Sequence, residues 1–521
     1  MIAMKRLVPL MLLATPLLLR IGTQAANAQV QFLSSPSIAK ATGAVISQIP
    51  SNSISQIETR GTTLWIGTSK GVARSTDGGQ TFISYRGVAQ FPRPNIFALG
   101  VKGDTIWCAT GFVEDVQGGG TVQTGTGYAY SFDNGTTWNS APQPLDGRSD
   151  SIVSYGVNTV NFLPIVVPEQ NVTFRLAITD SAIWVASWSS GLRKSTNNGL
   201  TWIRTVLPGN RSSISPSDTL SALDRAIDPR QNNNYLVFSV YVEAPSIVWA
   251  GSAGGINRSP DGGLSWTKFT VDNEQSHILG NWVIAVRGQR LGSHTRIWAT
   301  NWPADSPNEQ YAISCTDDSG ATWKTFLLGV KAYDFAFKDS VVYVAADQGL
   351  FRSSDGGYSW NISGTIVDPT NGNTLTSSSF YADGVIADTV YGGNADGLTK
   401  TIDNSLHPYG EKWNVLRASV PVGSVTSTYA YPNPFSPRQQ LARFHYSTGG
   451  VPGSVTIEVF DFGMNRVRTV VRDAQRSGPA EHDEIWDGRN DAGTLVVNGV
   501  YFYRVRVNGG DPAWGKVMVI Q

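Results

Sequence analysis

One short pattern recurs seven times along the 521 residues and constrains the fold more than any other feature of the chain. Its first copy is Ser75–Phe82, STDGGQTF. It returns at Ser131–Trp138 (SFDNGTTW), Ser195–Trp202 (STNNGLTW), Ser259–Trp266 (SPDGGLSW), Cys315–Trp323 (CTDDSGATW) and Ser353–Trp360 (SSDGGYSW), with a degraded copy at Thr401–Trp413 (TIDNSLHPYGEKW). Ahead of each copy lies an apolar run ending in small residues: LWIGT from Leu64, IWCAT from Ile106, IWVAS from Ile183, VWAGS from Val248, IWAT from Ile297, VYVAA from Val342 and VYGGN from Val390. A unit repeated at this scale cannot bury its apolar surface alone and must stack on copies of itself.

Inside each unit the apolar period is two, which predicts strands. In the sixth unit, Tyr333–Phe337, Val341–Ala345 and Leu350–Ser353 are three strands separated by turns, and a fourth starts near Trp360. Four antiparallel strands in roughly 52 residues predict a propeller blade. The expected fold is all-β: a seven-bladed β-propeller over residues 29–419, then a small Ig-like β-sandwich.

The signature has the chemistry of a hairpin turn. Its carboxylate can accept backbone N–H groups two residues on, its glycines can take positive φ, and its last aromatic can fill space beside a neighbour. Asp77, Asp133, Asn197, Asp261, Asp317, Asp355 and Asp403 are therefore read as structural acceptors rather than catalytic groups. The constellation resembles the Asp-box, or BNR, repeat of sialidases, some glucan hydrolases, sortilin-type receptors and photosystem assembly factors. The resemblance covers about residues 50–418 and implies a propeller; it leaves the activity open.

The chain opens with Lys5 and Arg6, an apolar run from Leu7 to Leu19, and Ala26-Asn27-Ala28. This pattern predicts a signal peptide over 1–28 and export, with no transmembrane segment once the leader is removed. Without it, 37 basic residues face 40 acidic ones, a formal charge of −3. That balance gives no basic surface for nucleic acid. Two cysteines, Cys108 and Cys315, are too few for a disulfide framework and read as buried small residues.

A break at 420–428 separates the repeats from a different pattern over 429–521. YPNPF from Tyr431, VFDFGMNRV from Val459, WDGRNDAG from Trp486, NGVYFYRV from Asn498 and GKVMVI from Gly515 follow in order. The series resembles the Ig-like domain shared by flagellar hook-capping proteins and the sorting tails of type IX secretion cargo. The resemblance implies that residues 429–521 engage secretion machinery, with passage through the periplasm to the outer cell surface or the medium.

Propeller ligands are expected over the channel, on the side of the loops joining strands two and three. Two such loops are long: Gly111–Gly127, with Phe112, Glu114 and Asp115, and Asn301–Gln310, with Trp302, Asp305 and Glu309. Trp188 occupies the short equivalent loop in the third unit. Phe112, Trp188 and Trp302 are the candidate ligand-binding rings, and Glu114 and Asp115 the candidate catalytic carboxylates. The connections 140–171 and 208–234 are also long.

A sialidase needs an arginine cluster gripping a carboxylate. Its early Arg-Ile-Pro element is absent: Phe91-Pro-Arg93-Pro94 is a poor approximation, and Arg175 and Arg287 on predicted inner strands lack a third partner. A glucan hydrolase needs two carboxylates at a set separation, and Glu114, Asp115, Glu243 and Asp347 are candidates by position alone. The five histidines show no metal-ligand spacing, and neither metal nor cofactor is expected. The sequence thus points to an exported, monomeric, non-catalytic scaffold binding an extracellular protein or glycan. The alternative is a secreted glycoside hydrolase, sialidase-like or glucan-hydrolase-like.

Overall fold

The computed structural model describes residues 39–40, 44–46, 49–115, 120–272, 276–369, 374–375, 377–418, 422, 424–438, 441–476 and 481–521. The chain divides into Met1–Ser37 and Ile38–Gln521, so the expected leader lies outside the described residues. Among those residues the structure is nearly all β; a 3-10 turn at Asn233–Tyr235 interrupts it.

Seven sheets follow one another, each built on four consecutive antiparallel strands. In the first these are Ile54–Arg60, Thr63–Thr68, Gly71–Ser75 and Phe82–Ser84. Ala44–Ile46 adds a fifth strand to this sheet, Ala39–Lys40 one to the second, and Ser213–Ile214 one to the fourth. Successive first strands are neighbours, and the last, Phe380–Ile386, packs on Ile54–Arg60 to close a ring. That join is tight: a Cβ on Gly393 would lie 2.5 Å from the Ile54 side chain, and one on Gly384 2.6 Å from Ile57.

The turns explain the repeated signature. Asp77 accepts the Thr81 hydroxyl at 2.6 Å, the Ser75 hydroxyl at 2.7 Å, and the backbone N–H groups of Gln80 and Thr81. Its acceptor role therefore spans three and four residues rather than two. Asp133, Asp261 and Asp355 repeat the pattern. Asn197 accepts from Thr201 N–H and donates to its hydroxyl, so the turn survives without the charge.

Two turn residues expected from sequence are corrected. In the fifth copy Asp318, not Asp317, accepts the Thr316 and Thr322 hydroxyls. Asp317 instead receives the Arg296 guanidinium at 2.7 and 3.0 Å. The seventh copy breaks the pattern: Asp403 accepts from Arg352 at 2.6 Å and from the Tyr343 hydroxyl, both of the preceding sheet, while Asn404 caps the turn.

The same turns join the sheets. Gly199 and Gly263 take φ of 80° and 98°, and a Cβ on either would meet the ring of Trp107 or Trp184 in the preceding sheet at 2.4 or 2.6 Å. Glycine is required there both for its backbone conformation and for close approach. In three joins the closing aromatic packs edge-on to the corresponding tryptophan of the preceding sheet, Trp65–Trp138, Trp107–Trp202 and Trp249–Trp323, with centroids 6.3–6.4 Å apart. Edge-on packing suits the ring quadrupoles. Cys108 and Cys315 are free and buried.

The two long connections form one accessory sheet, in which Asn158–Phe162 pairs with Ile152–Tyr155 and, in parallel, with Ala226–Ile227. It adds Tyr155, Val160 and Phe162 to the core around Trp184 and Trp266. Beyond the repeats, a three-stranded sheet (Thr428–Tyr431, Ala442–Ser447, Glu481–Trp486) and a four-stranded sheet (Arg466–Arg476, Gly453–Phe460, Gly499–Val507, Ala513–Val519) share a core of Phe444, Trp486, Tyr503 and their neighbours. Asp396, in a turn of the seventh sheet, holds this segment: Arg443 bonds both its oxygens at 2.9 and 2.7 Å, and Arg417 one at 3.0 Å.

Candidate functional site

Each first strand starts on the side of the turns joining strands two and three, because Ile54 lies opposite Thr68 and its equivalents follow suit. In six of the seven, the pairing register slips near the start of the strand, at the second residue in five and at the third in the second sheet. A bulge of this kind leaves one residue unpaired and re-aims its side chain. The unpaired residue is Ser55 in the first sheet and aromatic in the other five: Phe97, Phe174, Phe238, Tyr333 and Tyr381.

These rings form an arc around one mouth of the channel. Phe174 lies 5.6 Å from Phe238, which contacts Trp188 at 5.1 Å and Trp282 at 5.3 Å. Trp282 and Trp302 are joined through their backbones. Trp302 packs edge-on to Tyr333 at 5.3 Å, and Tyr333 edge-on to Tyr381 at 5.2 Å. Lys331 sits 4.4 Å from the Trp302 ring centre. Burial, then the Asp347 carboxylate accepting its O–H at 2.7 Å, keeps Tyr333 protonated far above the usual tyrosine range. Tyr381 is the most open, 38% exposed; Trp188, Trp282, Trp302 and Tyr333 are half-buried.

Of the rings named from sequence, Trp188 and Trp302 belong to this arc. Phe112 stands apart, under the Arg93 guanidinium at 4.9 Å. Glu114 is exposed, with the Thr124 hydroxyl at 3.4 Å; the Asp115 side chain lies outside the described residues. The other carboxylates serve the scaffold. Glu309 pins its loop through the N–H groups of Asn281 and Ala304, Asp305 takes Asn233, and Glu243 takes the Trp249 indole. Sequence reasoning did not single out Phe97, Phe174, Phe238, Trp282, Tyr333 or Tyr381.

Deeper in the channel, four charged groups from four sheets bond one another. Arg175 donates to Asp334 at 2.9 Å and to Gln56 at 3.1 Å, with Glu58 at 3.5 Å. Arg287 donates to Asp334 at 2.9 and 3.0 Å and to Glu58 at 3.0 Å. Burial alone would raise the Asp334 carboxyl, but the charges of Arg175 and Arg287 hold it well below the usual range. A guanidinium fork engaged this way is not free to grip a substrate carboxylate.

Asp383 is the exception. It is 3% exposed, its carboxylate oxygens are shut off from solvent, and no side chain bonds them; the Ala336 backbone N–H is the donor beside them. Burial, and next the Asp334 charge, push its carboxyl well above the usual range against the opposing pull of Arg287 and Arg175. Among the described residues no cluster of three or more His, Cys, Asp or Glu could hold a metal ion, and no helix is long and apolar enough to cross a membrane.

No family model matches the chain, and no curated protein does. Among solved structures it is similar to an ancestral GH74 enzyme, at 12% identity and a TM-score of 0.51, over 93% of this chain and 63% of that one. It is also similar to YCF48 from Cyanidioschyzon merolae, at 17% identity and a TM-score of 0.42, over 69% of this chain and 98% of that one. A third is PorZ, a surface component of the type IX secretion system of Porphyromonas gingivalis, at 13% identity and a TM-score of 0.35, over 91% of this chain and 66% of that one. The fold is a β-propeller. At these identities the likeness speaks to fold alone.

Proposed function

We propose that this is an exported binding scaffold: a seven-bladed Asp-box propeller whose aromatic mouth receives a glycan or a protein surface, delivered by an Ig-like sorting module at 429–521. The observation that carries the reading is the repeated bulge, which sets an aromatic ring at the same place in five sheets. Ring faces side by side suit sugar C–H faces or apolar side chains, and such pockets fix orientation with few polar groups. Lys331 and Asp347 supply those here. Affinity electrophoresis of the full chain through gels holding different polysaccharides tests it. Retardation by one or more gels, reduced at least tenfold in affinity by Trp188→Ala with Tyr381→Ala, is the expected result; tenfold corresponds to about 1.4 kcal/mol.

A second reading, a glycoside hydrolase, draws on one observation. The carboxyls of Asp334 and Asp383 interact and are pushed in opposite directions, as a base and an acid would be. Against it stand the two arginines that occupy Asp334. Glu114 is exposed and bonds only a hydroxyl, that of Thr124, among the described contacts.

A further inference from the structure

His445 lies on the middle strand of the three-stranded C-terminal sheet, on the same face as Arg443, which reaches Asp396 of the seventh sheet. The ring is 3% exposed, and both of its nitrogens face a carboxylate. Nδ1 lies 3.0 Å from Asp483 and Nε2 3.2 Å from Glu481. Glu481 has a second task. Its other oxygen accepts the Val422 N–H at 2.6 Å, and Val422 is buried in the connector between the repeats and the C-terminal sheets.

This geometry fixes the charge of the ring. An ionised carboxylate only accepts, and a neutral imidazole carries a single N–H, so only the imidazolium donates to both sides. The surrounding charges point the same way. Asp483 and Glu481 on one neighbouring strand and Asp396 of the repeats are three carboxylates; Arg443 on the same strand and Arg417 of the repeats are two guanidiniums. A protonated His445 balances the group. On the other neighbouring strand the Tyr429 and Tyr431 rings pack 4.9 and 6.4 Å from the imidazole, and burial, then the Asp483 charge, keeps the Tyr431 phenol protonated. Burial alone would lower the imidazole, but Asp483 and then Glu481 hold its pKa above the usual value.

We propose that His445 is a proton switch on the connector: as the imidazolium it draws Glu481 in and holds Val422, and as the neutral ring it releases both. When the Nε2 proton leaves to water, the remaining N–H stays with Asp483, the more buried carboxylate, its side chain 8% exposed against 25% for Glu481. Nε2 then turns a lone pair toward the Glu481 carboxylate, an acceptor facing an acceptor. Glu481 swings to water, and the Val422 N–H loses its partner. Because the folded pKa lies above the unfolded value of roughly 6.5, the lock is fully present below that value and is lost as pH rises through the folded pKa. The C-terminal segment is thus held by two contacts of different kind. The Arg443–Asp396 clasp keeps its charges through this range, and the His445–Glu481–Val422 relay does not.

The test is amide hydrogen exchange at Val422 in the full chain from about pH 6 to about pH 9.5, divided by the intrinsic base-catalysed rate, beside the His445 titration read by NMR of carbon-labelled histidine. Protection should fall by about tenfold or more, with its midpoint on the His445 titration. His445→Gln, which donates to one side only, should exchange fast at every pH. Glu481→Gln should do the reverse: its amide oxygen accepts the Val422 N–H and its amide nitrogen donates to the neutral imidazole, so protection should hold across the range. Should His445→Gln fail to fold, Glu481→Gln still decides. Protection that stays level with pH in the parent, a midpoint away from the His445 titration, or a Glu481→Gln variant as pH-sensitive as the parent would overturn the proposal.

Discussion

The Lys400 ammonium of the seventh sheet donates to the Gly78 carbonyl oxygen of the first at 2.7 Å. Lys194 makes the same contact with Gly262 at 3.0 Å, and Arg74 reaches Asn134 the same way. In each case the third strand of one sheet sends a cation to the signature turn of the next. The join between the last sheet and the first is thus built from the same contact as the joins within the ring. Lys400→Met keeps the alkyl stem and removes the donor to a part-buried carbonyl. It should cost about 1–2 kcal/mol, read as a lower urea midpoint at unchanged slope.

The correction in the fifth turn makes a paired prediction. Asp318→Ala removes the acceptor for two hydroxyls and the Thr322 N–H, and should destabilise by about 1 kcal/mol. Asp318→Asn should be nearly neutral, as Asn197 is in the third turn. Asp317→Ala loses only partly exposed ion pairs with Arg296, Lys324 and His294 and should change stability by less than about 0.5 kcal/mol. Chemical denaturation of the three variants separates them.

Asp383 sets a pH dependence of stability. Its folded pKa lies above its unfolded value of roughly 3.9. Below that value both states are protonated and the residue has no effect. As pH rises, the unfolded chain ionises while the folded one does not. The folded state then loses about 1.4 kcal/mol per pH unit until the folded pKa is reached. Asp383→Asn should match the parent near pH 4 and exceed it as pH rises, the gap levelling off where the folded carboxyl ionises, measured by thermal unfolding across that range.

The Asp396 clasp predicts how the C-terminal segment is held. Arg417 and Arg443 are almost fully buried, with side chains 3% and 4% exposed. Asp396→Ala leaves two buried guanidiniums without their carboxylate, a loss of about 3–5 kcal/mol. Limited proteolysis should then cut within 419–428 at least tenfold faster than in the parent.

The repeat was readable because its turn is local chemistry. Ser, Asp, Gly and Thr at fixed offsets bond within five residues of one another, so spacing alone reveals them. The Asp317–Asp318 pair shows the limit: the copy was counted from Cys315, whereas the hydroxyl that starts the turn belongs to Thr316. The aromatic mouth was less readable. Phe174 and Phe238 look like ordinary strand residues, and only a slip in pairing with the next strand, a relation between distant positions, turns them to the channel. Asp383 carried a usable signal: aligned with Ile57, Leu176 and Val240, it is the one charged residue in an apolar column. The sequence puts Arg175 and Arg287 on inner strands, but Glu58 and Asp334, which hold them, come from other sheets.

The most direct measurement of the account is a glycan and polysaccharide panel on the full chain, scored side by side for binding and for release of reducing sugar or sialic acid. The account predicts binding that Trp188→Ala with Tyr381→Ala weakens at least tenfold (about 1.4 kcal/mol), with no sugar released. Release that is lost in Asp334→Asn or Asp383→Asn would contradict it and make the channel carboxyls catalytic.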